Sequence, residues 1–172
     1  VIKKLGEIKG RDIVGTKIKA PFGINPEVWV LPMDSVLPTK GTGVVTSVPS
    51  DSPDDYANYM DLRKKAEFYK IKPEWVAFDI VPVVQTPNHG DRIAEFLCKE
   101  MKIQSPKDAK QLAEAKEIAY KEGFFNGTLL QGDFKGETVQ EGKQKVKDQI
   151  IAAGLGFKYA EPEGLIMSRS AD

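Results

Sequence analysis

The chain has 172 residues, with 25 Lys+Arg against 25 Asp+Glu, so its formal net charge is zero; 41% of residues are apolar and 29% charged. A chain of this length buries roughly 70% of the surface its unfolded form exposes, so one domain needs no disulfide or metal staple. A membrane-spanning helix is excluded because no run of ~20 apolar residues occurs, and neutrality leaves nucleic-acid binding only a local basic face, not a whole-domain field.

In chain order, the first third reads as short strands punctuated by Pro21, Pro26, Pro32 and Pro38, with alternation in Ile13–Ile18 and Val28–Leu31. Gly41-Thr42-Gly43 leads into Val44–Val48, a β-branched run that predicts a strand buried on both faces and ending at Pro49. Ser52 then suits an N-cap, Pro53 the first helical position, and Asp54 and Asp55 the positive end of a helix continuing toward Tyr69. Ala77–Val81 is a strand candidate limited by Pro82. Helical spacing marks Asp91–Met101, and a charge-alternating helix is expected from Ser105 to Glu122 with Gly123 as its C′ residue. Phe124–Phe134 resembles a hairpin, Thr138–Ala153 a helix stopped by Gly154, and Gly156–Ala160 a last strand. The fold class is mixed α/β.

Catalytic vocabulary is sparse. Cys98 falls in the apolar pattern of Ile93, Phe96, Leu97 and Met101, which predicts a buried inert thiol in a reducing, cytosolic compartment. One Cys and one His exclude a Cys/His zinc site. His89 lies in a Pro-Asn-His-Gly-Asp loop, with no Ser or Cys in a nucleophile-elbow context to pair with it, and reads as a turn residue. Asp54 and Asp55 diverge by about 100° around a helix and so make no facing dyad. A dinucleotide motif is also excluded, because G-x-G-x-x-G would need glycine where Thr46 stands.

The run from Lys40 to Asp55 combines a glycine turn, a strand and an anionic helix entrance. Such a ledge offers backbone N–H groups to a ligand's oxygens while a carboxylate faces a cation. The competing reading is a capping box, with Ser52 bonded to the N–H of residue 55 and Asp55 in the place of the usual Glu or Gln.

The wording Gly-Thr-Gly-Val-Val-Thr-Ser-Val-Pro-Ser-Asp-Ser-Pro-Asp-Asp over residues 41–55 resembles the editing (CP1) domain of leucyl-tRNA synthetases, in its eukaryotic cytosolic form. Lys102–Ser105, Leu112–Lys116, Gly123-Phe124, Phe134–Gly136 and the tail from Glu161 to Ser170 are similar to successive landmarks of that domain, so the resemblance covers essentially the whole chain. It implies a class I synthetase editing fold, a mixed and barrel-like sheet core with surrounding helices, spanning 1–172, with 161–172 as a linker toward the synthetic core. It further implies hydrolysis, by water, of the ester joining a noncognate amino acid to the 3′-terminal adenosine of tRNA(Leu). No cofactor serves that step; ATP and Mg are bound elsewhere in the parent enzyme. The expected partners are the tRNA 3′ end, the misactivated amino acid and the remainder of a monomeric synthetase, with no membrane.

Carried over by position, the resemblance makes Asp55 the group that grips the substrate's α-ammonium. It makes Lys40, Gly41, Thr42, Gly43, Val44, Val45, Thr46 and Ser47 the wall on which the aminoacyl-adenosine lies, with Asp51 and Asp54 beside it. One departure stands out: the family's Thr-x-Arg-Pro-Glu-Thr wall is absent between Val1 and Asp172, which is the expectation for a truncated domain of little activity by itself. The rival reading is a non-catalytic tRNA- or domain-binding module whose phosphate contacts would come from Arg63, Lys64, Lys65, Lys70 and Lys72.

Overall fold

Ser52 starts the central helix as its spacing predicts: its Oγ accepts the N–H of Asp55 at 3.4 Å, Pro53 occupies the first turn, and α2 spans Pro53–Lys64 with Arg63 and Lys64 against its negative end. The computed structural model that shows this describes residues 3–37, 41–162, 166, 167 and 169. Ahead of α2 come a single helical turn, α1 (Gly10–Ile13), and an antiparallel ribbon of β1 (Lys17–Lys19) and β2 (Glu27–Trp29) in the register Lys17↔Trp29. After it come a 3₁₀ turn (Pro73–Val76), β3 (Val84–Gln85), α3 (Ile93–Glu100), α4 (Ala109–Asn126), β4 (Thr128–Leu129) and α5 (Val139–Ala152). β3 pairs antiparallel with β4, and among the described residues these two ribbons are the sheets.

The core sits where α2, α3 and α4 meet. Ile93 and Leu97 of α3 close on Ala115 and Ala119 of α4, while Ala94 and Cys98 close on Tyr56 and Tyr59 of α2. Two faces of one short helix therefore hold both neighbours, and burying each large apolar side chain is worth roughly 1.5–3 kcal/mol. A third cluster, Leu62, Ile71 and Val76, folds the segment after α2 under the helix. Burial pushes the Cys98 thiol up to about 11, and its Sγ lies 3.8 Å from the Pro53 carbonyl oxygen, which fits the inert thiol expected.

Several boundaries differ from expectation. Val44–Val48 forms no strand, and Val44 and Val45 are 47% and 67% exposed. The polar groups at its two ends are captured locally: the Val44 N–H bonds Thr42 Oγ1 at 3.2 Å, and the Val48 N–H bonds Asp55 Oδ2 at 2.7 Å. β-branched residues favour a strand only where a neighbouring strand takes up the backbone groups. Ala77–Val81 is likewise not a strand, because side chains take its carbonyls: Tyr59 Oη donates to Phe78 and Arg92 to Ile80. Gly156–Ala160 is irregular, with Phe157 81% exposed.

α2 stops at Lys64 instead of reaching Tyr69; the N–H of Ile71 bonds back to the Ala66 carbonyl, and Lys70 takes a φ of 55°. α4 begins four residues later than Ser105, since Asp108 Oδ2 accepts the N–H groups of Gln104 and Ser105 and holds them in a turn. It then runs through Gly123 to Asn126, so 124–126 are helical and only Thr128–Leu129 of the expected hairpin is strand. The stop is Gly127, where a Cβ would meet the Gly123 carbonyl oxygen at 2.2 Å and Val84 Cγ1 at 2.5 Å. α5 agrees with its signals: Thr138 accepts the Glu141 N–H, and the Leu155 N–H closes onto the Ile150 carbonyl past Gly154.

Candidate active site

The ledge is built from its turn outward. Gly41 and Gly43 take φ values of 58° and 71°, a left-handed backbone that side-chain-bearing residues adopt at a cost, so the Gly-Thr-Gly order is what permits the turn. Between them Thr42 Oγ1 donates to the Val44 carbonyl at 2.8 Å. Thr46 and Ser47 are exposed. The chain then turns at Val48–Asp51, the Val48 carbonyl accepting from the N–H groups of Asp51 and Ser52, and delivers Asp55 on the first turn of α2. Lys40 lies outside the described residues.

Asp55 takes part in both features of the helix entrance. The Ser52 half of a capping box forms, but the Asp55 carboxylate returns to the Val48 N–H and so fastens the end of the ledge to the helix. Burial pushes its pKa above the usual carboxylate value, and the Val48 N–H and Ser52 pull it back. Asp54 points elsewhere, as the helical offset requires, and pairs with Lys116 of α4 at 3.1 Å; that bond raises the Lys116 pKa. Asp54 also lines a cavity of about 570 Å³ that lies between α2, the loop at Pro32–Ser35 and the turn at Ser105–Lys107.

Asp51 occupies the most unusual environment. Ser50 is fully buried, its carbonyl accepts the Ala94 N–H at the start of α3, and its Oγ donates to Asp51 Oδ2. Asp51 Oδ1 is buried without a partner. Burial, with Asp91 adding to it and the Ser50 bond opposing it, raises the Asp51 pKa to about 6.

Glu161 was read from the sequence only as the start of the tail, yet both of its carboxylate oxygens accept the Gly41 N–H, at 3.0 and 3.2 Å. No local spacing could have found it across 120 residues. Lys116 was equally silent, because it sits in a helix whose charge alternation reads as a solvated face.

His89 and part of the basic cluster are engaged by neighbouring side chains. The Thr86 N–H and Oγ1 both bond the Gly90 carbonyl, closing the loop, while buried Glu122 accepts the Asn88 N–H at 2.9 Å and lies 2.7 Å from His89 Nδ1. Glu122→Ala therefore leaves a loop N–H without its acceptor and is expected to cost about 1–2 kcal/mol in urea unfolding at neutral pH. Of the cluster, Arg63 donates to Tyr59 Oη, Lys65 pairs with buried Asp61 at 2.6 Å, and Lys72 lies over the Trp75 ring. Lys64 and Lys70 are exposed. Among the described residues, no group of three or more His, Cys, Asp or Glu side chains is placed to hold a metal ion, and no helix is long and apolar enough to cross a membrane.

No protein-family model matches the chain. Solved structures do: a crystal structure of GlLeuRS-CP1 superposes with a TM-score of 0.83 at 34% identity, covering 92% of this chain and 63% of that one. The P. knowlesi cytosolic leucyl-tRNA synthetase editing domain gives 0.83 at 33%, covering 90% and 52%. The architecture is thus that of a synthetase editing domain, in keeping with the α/β class expected. Curated relatives narrow it further: the cytoplasmic leucine–tRNA ligase of Neurospora crassa is 58% identical over 172 residues, 100% of this chain and 15% of the relative. That of Saccharomyces cerevisiae is 53% identical over 170 residues, 99% of this chain and 16% of the relative. The chain belongs to the leucyl-tRNA synthetase family, as a part of its editing domain, and spans about one sixth of the length of the curated relatives it matches.

Proposed function

We propose that this chain forms one wall of the post-transfer editing site of a cytosolic leucyl-tRNA synthetase, where water hydrolyses the ester joining a noncognate amino acid to the 3′-terminal adenosine of tRNA(Leu). A second site answers a physical limit: one methylene in an apolar pocket is worth only ~1–3 kcal/mol, too little to reject close analogues of leucine by binding alone.

The observation that carries the reading is the placement of Asp55, one carboxylate oxygen fastened to Val48 at the end of the Gly-Thr-Gly run, in a chain with these relatives. The remaining oxygen receives the α-ammonium, a charge-assisted bond that orients the aminoacyl group and so sets its carbonyl for attack. Gly41 to Ser47 supply the surface against which the terminal adenosine and aminoacyl group lie, and Lys40 enters that run. Asp51 and Asp54 act from behind it, Asp54 through its pair with Lys116. The proton and the leaving ribose hydroxyl need no cofactor; ATP and Mg serve the synthetic site elsewhere in the enzyme. The Thr-x-Arg-Pro-Glu-Thr pattern that the resemblance assigns to the facing wall does not occur within these 172 residues. Residues 161–172 lead back toward the synthetic core, within a monomeric enzyme whose partners are the tRNA 3′ end and the misattached amino acid.

The direct test is the rate at which the full-length enzyme clears tRNA(Leu) charged with close analogues of leucine. Clearance well above the spontaneous rate, with leucyl-tRNA(Leu) spared, is the expected result; equal rates with and without enzyme would refute the assignment.

A further inference from the structure

The Gly-Thr-Gly turn is fixed from within on one side only. Thr42 Oγ1 ties down both polar groups of Val44, but the N–H at the head of the turn, on Gly41, is held by Glu161 from the far end of the chain. That acceptor is a carboxylate straddling one N–H with both oxygens, and a hydrogen bond to a charged group is stronger than a neutral one. The turn it secures leads into an exposed stretch with little support around it. Val44 to Ser47 are exposed, no strand among the described residues pairs with them, and the left-handed Gly41 and Gly43 just before them leave the turn easy to deform. Contacts from outside the run hold it at each end: Val48 is clamped by Asp55, and Gly41 by Glu161.

We propose that Glu161 is a positioning residue for the editing reaction, its carboxylate holding the Gly41 N–H so that the wall from Gly41 to Val48 is anchored at both ends before substrate arrives. This rests on the editing reading above and deepens it: Asp55 anchors the helix end of the wall and Glu161 its open end, so ester and ammonium are received on a surface shaped in advance. Preorganisation lowers the ordering cost of binding. Loss of the Glu161 anchor therefore weakens capture of the aminoacyl end more than it slows hydrolysis once the substrate is seated.

The test uses the full-length enzyme with Glu161→Ala, Glu161→Gln and Asp55→Ala, read by deacylation kinetics on mischarged tRNA(Leu) and by leucylation with the same preparations. Glu161→Ala is expected to raise KM for deacylation roughly three- to tenfold with kcat within about twofold, less than a buried charge-assisted bond would give because the pair is open to solvent. Glu161→Gln, which keeps an acceptor oxygen of the same reach, is expected to recover most of that loss, and leucylation to stay unchanged in both. Three results would overturn the proposal: Glu161→Ala equal to wild type, Glu161→Ala and Glu161→Gln equally impaired, or a lower KM in Glu161→Ala, which would mean that the carboxylate blocks the wall. Should Glu161→Ala also lose leucylation, the Glu161→Gln values decide: KM near wild type with leucylation intact supports the acceptor role, and KM raised as far as in Glu161→Ala refutes it. Asp55→Ala separates the two claims. If it still deacylates, the editing reading itself fails; if it is inactive while the Glu161 variants match wild type, only the anchor fails.

Discussion

Asp55→Ala in the full-length enzyme is expected to lower hydrolysis of mischarged tRNA(Leu) by roughly a hundredfold or more while leucylation stays within about twofold, because misplacing a reacting group by about 1 Å already costs a factor of that size. Two consequences of the substitution add together. The α-ammonium loses its counter-charge, and the Val48 N–H loses the acceptor that fastens the ledge to α2. Asp55→Asn separates them, since the amide oxygen can still accept from Val48 but carries no charge for the ammonium. If orientation through charge is what matters, Asn is nearly as damaging as Ala; if Asp55 merely braces the turn, Asn is close to wild type. The pH dependence follows from the same burial. The Asp55 pKa lies above the ordinary carboxylate value, and only the ionised form grips an ammonium, so deacylation falls as pH drops through that raised value. Deacylation by Asp55→Ala at the wild-type rate would remove the residue from the site.

The second large effect concerns Asp51. A carboxyl whose folded pKa is raised from 3.8 to about 6 stabilises the fold most when protonated. Its contribution is complete below the unfolded value and is lost as pH rises through about 6. The size is on the order of 2–3 kcal/mol between pH 4 and pH 7. Asp51→Asn keeps the shape and an acceptor for Ser50 Oγ but cannot ionise. Urea unfolding of wild type and variant is therefore expected to agree near pH 4 and to diverge by pH 7, where the variant is the more stable. Parallel stability curves from pH 4 to 7 would show that the buried oxygen carries no charge penalty. Asp51 accepts from Ser50, whose carbonyl ties this turn to the start of α3, so the comparison also asks whether the ledge is built at a cost in stability, as functional sites often are.

How much of this was legible in the sequence depends on how local each signal was. The start of α2 could be read because Ser52, Pro53, Asp54 and Asp55 carry their meaning within four residues, and so could α5, between Thr138 and Gly154. Burial of Cys98 followed from helical spacing alone. What failed was non-local. Val44–Val48 has strand composition, but a strand is a property of two segments, and no neighbour among the described residues pairs with this one. α4 overran Gly123 because a helical glycine costs only about 1 kcal/mol, whereas Gly127 has no room for a side chain between Gly123 and Val84. The site divides in the same way. The ledge and Asp55 were found from a contiguous run, while Lys116 beneath Asp54 and Glu161 above Gly41 came only with the fold. The basic cluster illustrates the converse, since a charge run that reads as a phosphate patch proves partly spoken for by Tyr59, Asp61 and Trp75.

The account turns on one contact, between Asp55 and the α-ammonium of an amino acid carried on adenosine. A non-hydrolysable aminoacyl-adenosine amide and its counterpart lacking the α-amino group, titrated into wild-type and Asp55→Ala full-length enzyme, measure that contact as a coupling between ligand group and side chain. The account predicts that wild type prefers the amino-bearing ligand by at least about tenfold, on the order of 1.4 kcal/mol, and that Asp55→Ala shows no preference. Equal preference in the two proteins would contradict it.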